Sequence, residues 1–180
     1  MKKYIVREAV KIPDGIDLTL NQNVVSVKGQ LGTLNRSFTN APVDIRREGD
    51  DVLIESFWPN KKRLAMVGTI RSHIQNMMTG VTQGYTYKLK IVYAHFPMSA
   101  KTTADEVIVE NFGGERKSRT VKIPGTVKVS VVGDDILVKG IDREEVGQVA
   151  ANIQTLTHIR NKDPRVFLDG IYIYEKGEGI

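Results

Sequence analysis

The sequence of 180 residues contains no cysteine. This absence excludes a disulfide scaffold, a thiolate zinc site and a cysteine nucleophile, and it fits a reducing compartment. Aromatic residues are scarce, at 7%, and no stretch approaches the run of about 18 apolar residues that a membrane-spanning helix requires. The N-terminal stretch MKKYIVREAV begins with basic residues, but Arg7 and Glu8 interrupt the apolar run that a signal peptide needs. We therefore expect a soluble, cytoplasmic protein without a membrane partner.

Residues that could catalyse a reaction or bind a metal form no convincing pattern. The three histidines lie far apart in the sequence: His73, His95 and His158. No two of them have the spacing of metal ligands on one helical face. The acid pairs at 50–51 and 134–135 each follow a glycine between alternating segments, which favours a hairpin turn over a cation site. We predict that the protein is not an enzyme and uses no metal and no cofactor.

Hydrophobic periodicity predicts short strands and two helices. Apolar and polar residues alternate over most of the first 60 residues, as at 16–20 and 25–27, which is typical of strands with one buried face. Turn residues at 20–24, 49–51 and 133–135 predict hairpins. Two apolar stripes have the helical period instead: Val67, Ile70, Ile74 and Met77 in one, and Val146, Val149, Ile153 and Leu156 in the other.

These patterns indicate a duplication. The two stripes superpose at an offset of 79 residues, and the hairpin GDDVLIE at 49–55 resembles GDDILVK at 133–139 at an offset of 84. A rival offset of 111 matches Lys-Ile-Pro at 11–13 to 122–124 with more identities. The offset of 84 is preferred because it reaches both helices with only a small difference in loop length. One hairpin then precedes one helix in each copy.

The duplication predicts an α+β protein of two tandem domains, each a mostly antiparallel sheet packed with one helix. One further strand is expected after each helix, at 85–91 and at 171–174. Pro97 interrupts the pattern, so the first copy is expected to cover residues 1–95 and the second 96–180.

Two local features predict where the second helix begins and which methionines of the first helix are buried. Asp142 and Glu145 have the spacing of a capping box at the start of the second helix. Met66, Met77 and Met78 lie in or beside the first stripe, so we expect them to pack in the core and not to line a lipid or cofactor groove.

The positive charge points to an anionic partner. The net charge is +5, with fourteen basic and eight acidic residues over 1–96 and twelve and thirteen over 97–180. The cations form three local groups: Lys61, Lys62 and Arg63 with Arg71; Arg116, Lys117 and Arg119 with Lys122; and Arg160, Lys162 and Arg165. A charge run is often only a solvated face, but three groups favour a surface that binds phosphates. Phe167, Tyr172 and Tyr174 lie near the third group and either stack on bases or pack as buried residues of a last strand.

The C-terminal stretch at 154–176, QTLTHIRNKDPRVFLDGIYIYEK, closely resembles the signature of a known family. That family is the archaeal and eukaryotic branch of large-subunit ribosomal protein L-six. The stretches at 111–121 and at 80–85 also resemble it, so the resemblance covers nearly the whole chain. Gly113 departs from the family pattern, in which a bulkier apolar residue is expected.

The resemblance implies a structural constituent of the large ribosomal subunit that binds 23S-type rRNA near the stalk base and the sarcin-ricin loop, where translation factors dock. It implies two copies of a small α+β domain, of which the second is the main rRNA-binding domain. It further implies neighbouring ribosomal proteins as partners and a monomer within the ribosome.

We expect mainly phosphate and sugar contacts, because A-form RNA hides its base edges in a deep groove. The expected rRNA-binding cations are Lys101, Arg116, Lys117, Arg119, Lys122, Arg160, Lys162, Arg165 and Lys176. Gly113, Gly114 and Gly170 are expected to let the main chain approach the RNA. Lys61, Lys62, Arg63 and Arg71 form a predicted secondary basic patch. The alternative hypothesis is a protein-interaction module that binds acidic partners through strand edges or a basic face.

Overall fold

The computed structural model describes residues 5–58, 60–163 and 165–180. Residues 1–4, with which the predicted first copy and the basic N-terminal stretch begin, lie outside the described residues, as do Pro59 and Pro164. The chain divides into two compact units, unit 1 (Met1–Gln83) and unit 2 (Gly84–Ile180). Each unit combines antiparallel sheets with one α-helix, so the predicted fold class is confirmed.

Unit 1 has six strands and one long helix among its described residues. They are β1 (Ile5–Lys11), β2 (Asp17–Asn21), β3 (Val24–Lys28), β4 (Thr33–Ser37), β5 (Asp44–Glu48), β6 (Asp51–Phe57) and α1 (Lys61–Thr82). The strands form two antiparallel three-stranded sheets with the orders β1-β6-β5 and β2-β3-β4. α1 packs against strands of both sheets, so that its apolar stripe and the inner faces of the sheets share one core.

Unit 2 repeats this plan with one additional strand. Its elements are β7 (Tyr85–Val92), β8 (Ser99–Thr102), β9 (Glu106–Glu110), a single 3-10 turn (Phe112–Gly114), β10 (Arg119–Lys122), β11 (Val127–Val132), β12 (Asp135–Gly140), α2 (Arg143–Leu156) and β13 (Gly170–Glu178). The sheets have the orders β11-β12-β7-β13 and β10-β9-β8. α2 covers the four-stranded sheet, and a second core of its own lies between them.

The strand at 85–91, predicted as the last strand of the first copy, belongs to unit 2. The predicted domain boundary at 95/96 therefore lies too late. β7 pairs with β12 and β13, which places it inside unit 2. It is the counterpart of β1, since each of the two strands opens its unit and pairs with the strand that precedes the helix. The Ile12 amide donates to the Asp50 carbonyl at 2.8 Å, and the Ile91 amide donates to the Asp134 carbonyl at the same distance.

The predicted helices and hairpins are confirmed. Seven residues of the two stripes are buried and Leu156 is half-buried against the core of unit 2. The hairpins β5-β6 and β11-β12 turn at Gly49 and Gly133, which supports the offset of 84. The rival offset of 111 is wrong, because Lys11 ends the first strand of unit 1 whereas Lys122 ends the fourth strand of unit 2. Met77 and Met78 are buried as expected, but Met66 is 38% exposed, because it lies one position outside the stripe.

Side-chain caps start both helices. The Asp142 carboxylate accepts a hydrogen bond from the Glu144 amide at 2.8 Å, as expected for an N-cap. Glu145 departs from the capping-box prediction, since its carboxylate accepts from the Thr126 hydroxyl. α1 begins at a cap that the sequence patterns did not reveal, where the Asn60 side chain accepts from the Arg63 amide at 2.9 Å.

Candidate nucleic-acid interface

A cleft of about 790 Å³ lies in unit 2 beside the C-terminal end of α2. The 3-10 turn and β10 form one wall, and the segment that follows α2 forms the other. Four predicted binding residues line it: Gly113 and three cations from two different cation groups, Arg119, Arg160 and Lys162. The fold therefore brings together residues that are more than 40 positions apart in the sequence.

The third cation group lies on the segment between α2 and β13. Arg160, Lys162 and Arg165 all have exposed side chains. The Asp163 carboxylate accepts from the Arg165 amide at 2.9 Å, and the Lys162 ammonium lies 5.2 Å from the centre of the Phe167 ring. These contacts are local to the segment, and its cationic groups face solvent, where phosphates can reach them.

Arg119 is committed to contacts within the protein. Its guanidinium forms a two-pronged ion pair with Glu115, with Nε to Oε2 at 2.9 Å and Nη2 to Oε1 at 2.5 Å. Its Nη1 donates to the main-chain carbonyl of Leu156, the last residue of α2, at 2.5 Å. The guanidinium carbon also lies 4.4 Å from the centre of the Phe112 ring. Arg119 thus ties one wall of the cleft to the end of the helix.

Glu115 is the charged partner of Arg119 in this link. The hydrogen bonds from Arg119 are the largest influence on its carboxyl group, and they lower its pKa below the ordinary value although partial burial opposes the shift. The carboxylate is therefore charged at neutral pH, and a planar fork of this kind fixes both side chains.

The remaining cations of the second group are arranged differently. Arg116 and Lys117 are exposed between the 3-10 turn and β10, and Lys122 is exposed at the end of β10. They lie close in sequence to the cleft wall without being part of its lining. Their exposure leaves them accessible to a ligand larger than the cleft itself.

A buried carboxylate closes the floor of the cleft, and sequence reasoning missed it. Asp169 is 3% exposed, and it accepts hydrogen bonds from the Ala94 and His95 amides and from the His95 ring at 2.9 Å. The His95 ring stacks on Phe167 with 4.9 Å between ring centres. Burial raises the pKa of Asp169, but these donors outweigh burial and hold the pKa below its ordinary value.

No spacing pattern could have linked His95 to Asp169, because the two are 74 residues apart. Their contact arises because β7 and β13 are neighbouring antiparallel strands, so the end of one lies beside the start of the other. His158 also lines the cleft. Two of the three histidines therefore lie at one site.

The predicted glycines divide into two kinds. Gly113 and Gly114 are exposed and have φ angles of 58° and 79°, a region in which side chains other than glycine are strained. Gly170 does not allow RNA to approach, because it is buried. Its close neighbours are the Thr157 carbonyl and the Tyr172 ring, each within 3.3 Å of the point that a Cβ atom would occupy. Its role is internal packing at the start of β13.

The other predicted contacts lie away from the cleft lining. Lys101 forms an ion pair with Glu110 at 2.8 Å, and Lys176 lies 5.7 Å from the centre of the Tyr87 ring. Tyr172 and Tyr174 are 43% and 53% exposed, so the alternative that they are buried residues of the last strand is wrong. Their rings remain available for stacking.

The predicted secondary patch is split in unit 1. Lys61 and Lys62 are exposed at the start of α1, beside the chain's single tryptophan, Trp58, which is 70% exposed. The Arg63 guanidinium donates to the Phe57 carbonyl at 2.9 Å. Arg71 lies about 12 Å further along the helix axis, where it pairs with Glu8 at 3.3 Å.

Within residues 5–58, 60–163 and 165–180, no group of three or more His, Asp or Glu residues could hold a metal ion. In the same residues no helix is long and apolar enough to cross a membrane. The cleft combines the exposed cations Arg160 and Lys162, the internally bonded Arg119, an exposed glycine turn and aromatic rings. Such a combination has the chemistry of a surface to which a polyanion can bind.

Comparison with known proteins identifies the class. The family model Ribosomal protein L6 matches residues 12–84 and 96–170. The protein named "Large ribosomal subunit protein uL6" from Methanobrevibacter smithii is 48% identical over 171 residues, covering 95% of this chain and 96% of that protein. The proteins of the same name from Methanocella arvoryzae and Desulfurococcus amylolyticus are each 47% identical, covering 95% and 98% of this chain and 97% and 98% of their own lengths.

The chain belongs to the ribosomal protein L6 family, the L-six family that its C-terminal stretch resembles. The two separate matches of the family model agree with the duplication. Members of this family are structural proteins of the ribosome and not enzymes, which confirms the non-enzymatic role and the ribosomal location that the sequence predicted.

Proposed function

We propose that this protein is a structural constituent of the large ribosomal subunit that binds 23S-type rRNA through unit 2. The observation that carries the proposal is the cleft beside the end of α2, which joins Arg160 and Lys162 to the glycine turn at Gly113. The proposed location near the stalk base and the sarcin-ricin loop, which supports translation factor docking, rests on the family resemblance.

The local charges matter more than the net charge of each half. Phosphates respond mainly to charges within about 10 Å at 0.1 M salt. Arg160, Lys162 and Arg165 therefore attract an RNA backbone although acidic residues slightly outnumber basic ones over 97–180. Arg116 and Lys117, which precede β10, and Lys122, at its end, are further proposed contacts outside the cleft lining, as are Lys101 and Lys176.

Arg119 supports binding by holding the wall of the cleft in place. Its Glu115 and Leu156 contacts use three of its donor atoms, so its main contribution is to fix the glycine turn relative to α2. A site that is ordered before binding loses less conformational entropy when RNA arrives.

The test replaces the third cation group with neutral residues. A variant carrying R160Q, K162Q and R165Q should bind a 23S-type rRNA fragment more weakly between 50 and 200 mM KCl. Each lost duplex phosphate contact should flatten the slope of log affinity against log salt by about 0.9, or about 2.7 for three contacts. Filter binding across the salt series measures both quantities.

The matched control is a variant carrying K11Q, K28Q and R46Q, which removes the same charge from exposed positions of unit 1. It should retain a slope close to that of the wild type. An unchanged slope in the unit 2 variant, or equal flattening in both variants, would contradict the proposal.

The proposed location has a separate test. The chain should remain with large-subunit particles through a high-salt wash and should protect a discrete rRNA segment from nuclease. Protection that includes the sarcin-ricin region supports the proposed location, whereas protection confined to other segments would rule it out.

A further inference from the structure

The two units differ at one sheet edge. In unit 2, β7 has β12 on one side and β13 on the other. In unit 1 the counterpart strand, β1, pairs with β6, and no other strand of the described residues adds to its second edge. An edge strand presents unpaired amide and carbonyl groups that can accept a further strand.

In unit 2, β13 occupies the edge of β7 that corresponds to the free edge of β1. Ile171 and Ile173 lie opposite Ile91 and Leu89 of β7 and belong to the core side of the sheet. On the outer edge of β13, the Ile171 amide donates to the Thr157 hydroxyl at 2.9 Å, and the Ile173 amide donates to the Gln154 side-chain oxygen at 3.1 Å. The end of α2 thus pairs the amides that the sheet leaves open.

Unit 1 has a groove at the equivalent place. A cleft of about 450 Å³ lies between β1, at Ala9 and Val10, and α1, at Gln75, Met78 and Thr79. The offset of 79 that aligns the two helices places Gln75 on Gln154. The side chain that would accept from an added strand is therefore already at the groove.

Main-chain amides on the free edge of β1 point away from β6, towards the side where the structure describes no paired strand. Because the Ile12 amide donates to Asp50 next to β6, and strand amides alternate in direction, the amides of Ala9 and Lys11 point away from β6. Two inner residues of β1, Val6 and Glu8, are only half-buried, whereas their counterparts Tyr85 and Tyr87 are buried. Val6 and Glu8 therefore have less cover than their counterparts in unit 2.

We propose that an extended segment of a neighbouring protein pairs antiparallel with β1 and fills this groove. Its chemistry follows from β13: two apolar side chains separated by one residue lie opposite Ile12 and Val10, and the amide of the second apolar residue, on the outer edge of the added strand, donates to Gln75. The groove favours a peptide over RNA because the pairing uses main-chain amide and carbonyl groups of β1. Of the two cations that line it, Lys11 and Arg71, Arg71 already pairs with the Glu8 carboxylate at 3.3 Å. This contact is independent of rRNA binding by unit 2.

The test uses a labelled peptide with the sequence of residues 169–178, DGIYIYEKGE, added to the full chain. This peptide carries the side chains that occupy the equivalent edge in unit 2. Fluorescence anisotropy should show saturable binding, and hydrogen exchange should slow at the amides of Ala9 and Lys11. A peptide with both isoleucines replaced by aspartate should fail to bind.

Two pairs of variants locate the binding. Ala9→Pro removes an edge amide, which an edge strand tolerates, and should weaken peptide binding by about tenfold or more. Ala9→Val adds a side chain but retains the amide, so it should bind normally. Gln75→Ala, on the exposed face of α1, should weaken binding by about threefold to tenfold, whereas Gln148→Ala on α2 should leave it unchanged.

Thermal unfolding shows whether Ala9→Pro folds, and Gln75→Ala tests the groove if it does not. Peptide binding that is unaffected by both variants, or exchange that slows only in unit 2, would overturn the proposal. Edge amides that are already protected in a dimer of this chain, seen by sedimentation, would also overturn it, because the occupant would then be a second copy.

Discussion

Arg119 donates a hydrogen bond to the main-chain carbonyl of Leu156, 37 residues later in the chain. The last carbonyls of an α-helix have no partner within the helix, and a cation is favoured near them by the helix dipole. The described last turn of α2 contains no basic residue of its own. Arg119 therefore supplies from β10 the charge and the donor that α2 lacks.

Replacing Arg119 should lower the free energy of unfolding by more than it reduces the magnitude of the free energy of RNA binding. Arg119→Ala should lower the free energy of unfolding by about 1–3 kcal/mol, because it leaves the part-buried Leu156 carbonyl without its donor and removes the contact with the Phe112 ring. Urea denaturation measures this change. Arg119→Lys keeps the charge but not the fork, so it should recover only part of the loss.

The matched control for Arg119 is Arg116→Ala, three positions earlier on the exposed loop. It should change stability by no more than about 0.5 kcal/mol and should lower the salt slope of RNA binding. The same stability loss in both variants would contradict the structural role of Arg119.

Asp169 should make stability depend on pH in the acidic range. Its folded-state pKa lies below the ordinary value of 3.8, so its stabilising contribution is present above that value and is lost as pH falls through the folded-state pKa. Asp169→Asn cannot ionise and lacks this contribution. The difference in unfolding free energy between wild type and variant should therefore shrink as pH falls from about 5 towards 2.

Urea denaturation at several pH values measures that difference. Asp105→Asn, at an exposed carboxylate of the same unit, serves as the control and should show a nearly constant difference. A gap between wild type and Asp169→Asn that stays constant down to pH 2 would mean that hydrogen bonding to Asp169 does not favour its charged form.

Gly113 should be required for the conformation of the turn and not for space around it. A Cβ atom at this position would meet no neighbour within 4 Å, but the φ angle of 58° strains an ordinary side chain. Gly113→Ala should therefore destabilise the protein by about 1 kcal/mol, and Gly113→Asn by less, since asparagine adopts this region more readily. Thermal unfolding compares the two, and equal losses would point to a steric cause instead.

The duplication could be predicted from the sequence because the same two periods recur at fixed offsets. The assignment of β7 could not, because alternation at Tyr85, Tyr87 and Leu89 indicates a strand but not the strand's partners. Pairing is a long-range property, and β7 joins elements that lie about 50 and 85 residues further along the chain.

The candidate site was predictable only in part, for a similar reason. The cations at 160–165 are close together in sequence, so their grouping was visible directly. The internal commitment of Arg119 depends on Glu115 and on the distant Leu156, and the His95 contact with Asp169 spans two strands. The exposed Arg160 and Arg165 can reach a ligand, whereas the half-buried Arg119 bonds within the protein. This difference in exposure is set by packing, which the sequence pattern does not show.

The position of Trp58 gives the two units separate spectroscopic labels. The chain's single tryptophan is in unit 1, whereas Tyr85, Tyr87, Tyr93, Tyr172 and Tyr174, five of its six tyrosines, are in unit 2. Emission excited selectively at tryptophan wavelengths therefore reports the surroundings of one unit alone, and the tyrosine bands of near-ultraviolet circular dichroism report mainly the other. A melting curve recorded from tryptophan emission alone would follow only unit 1 of this molecule.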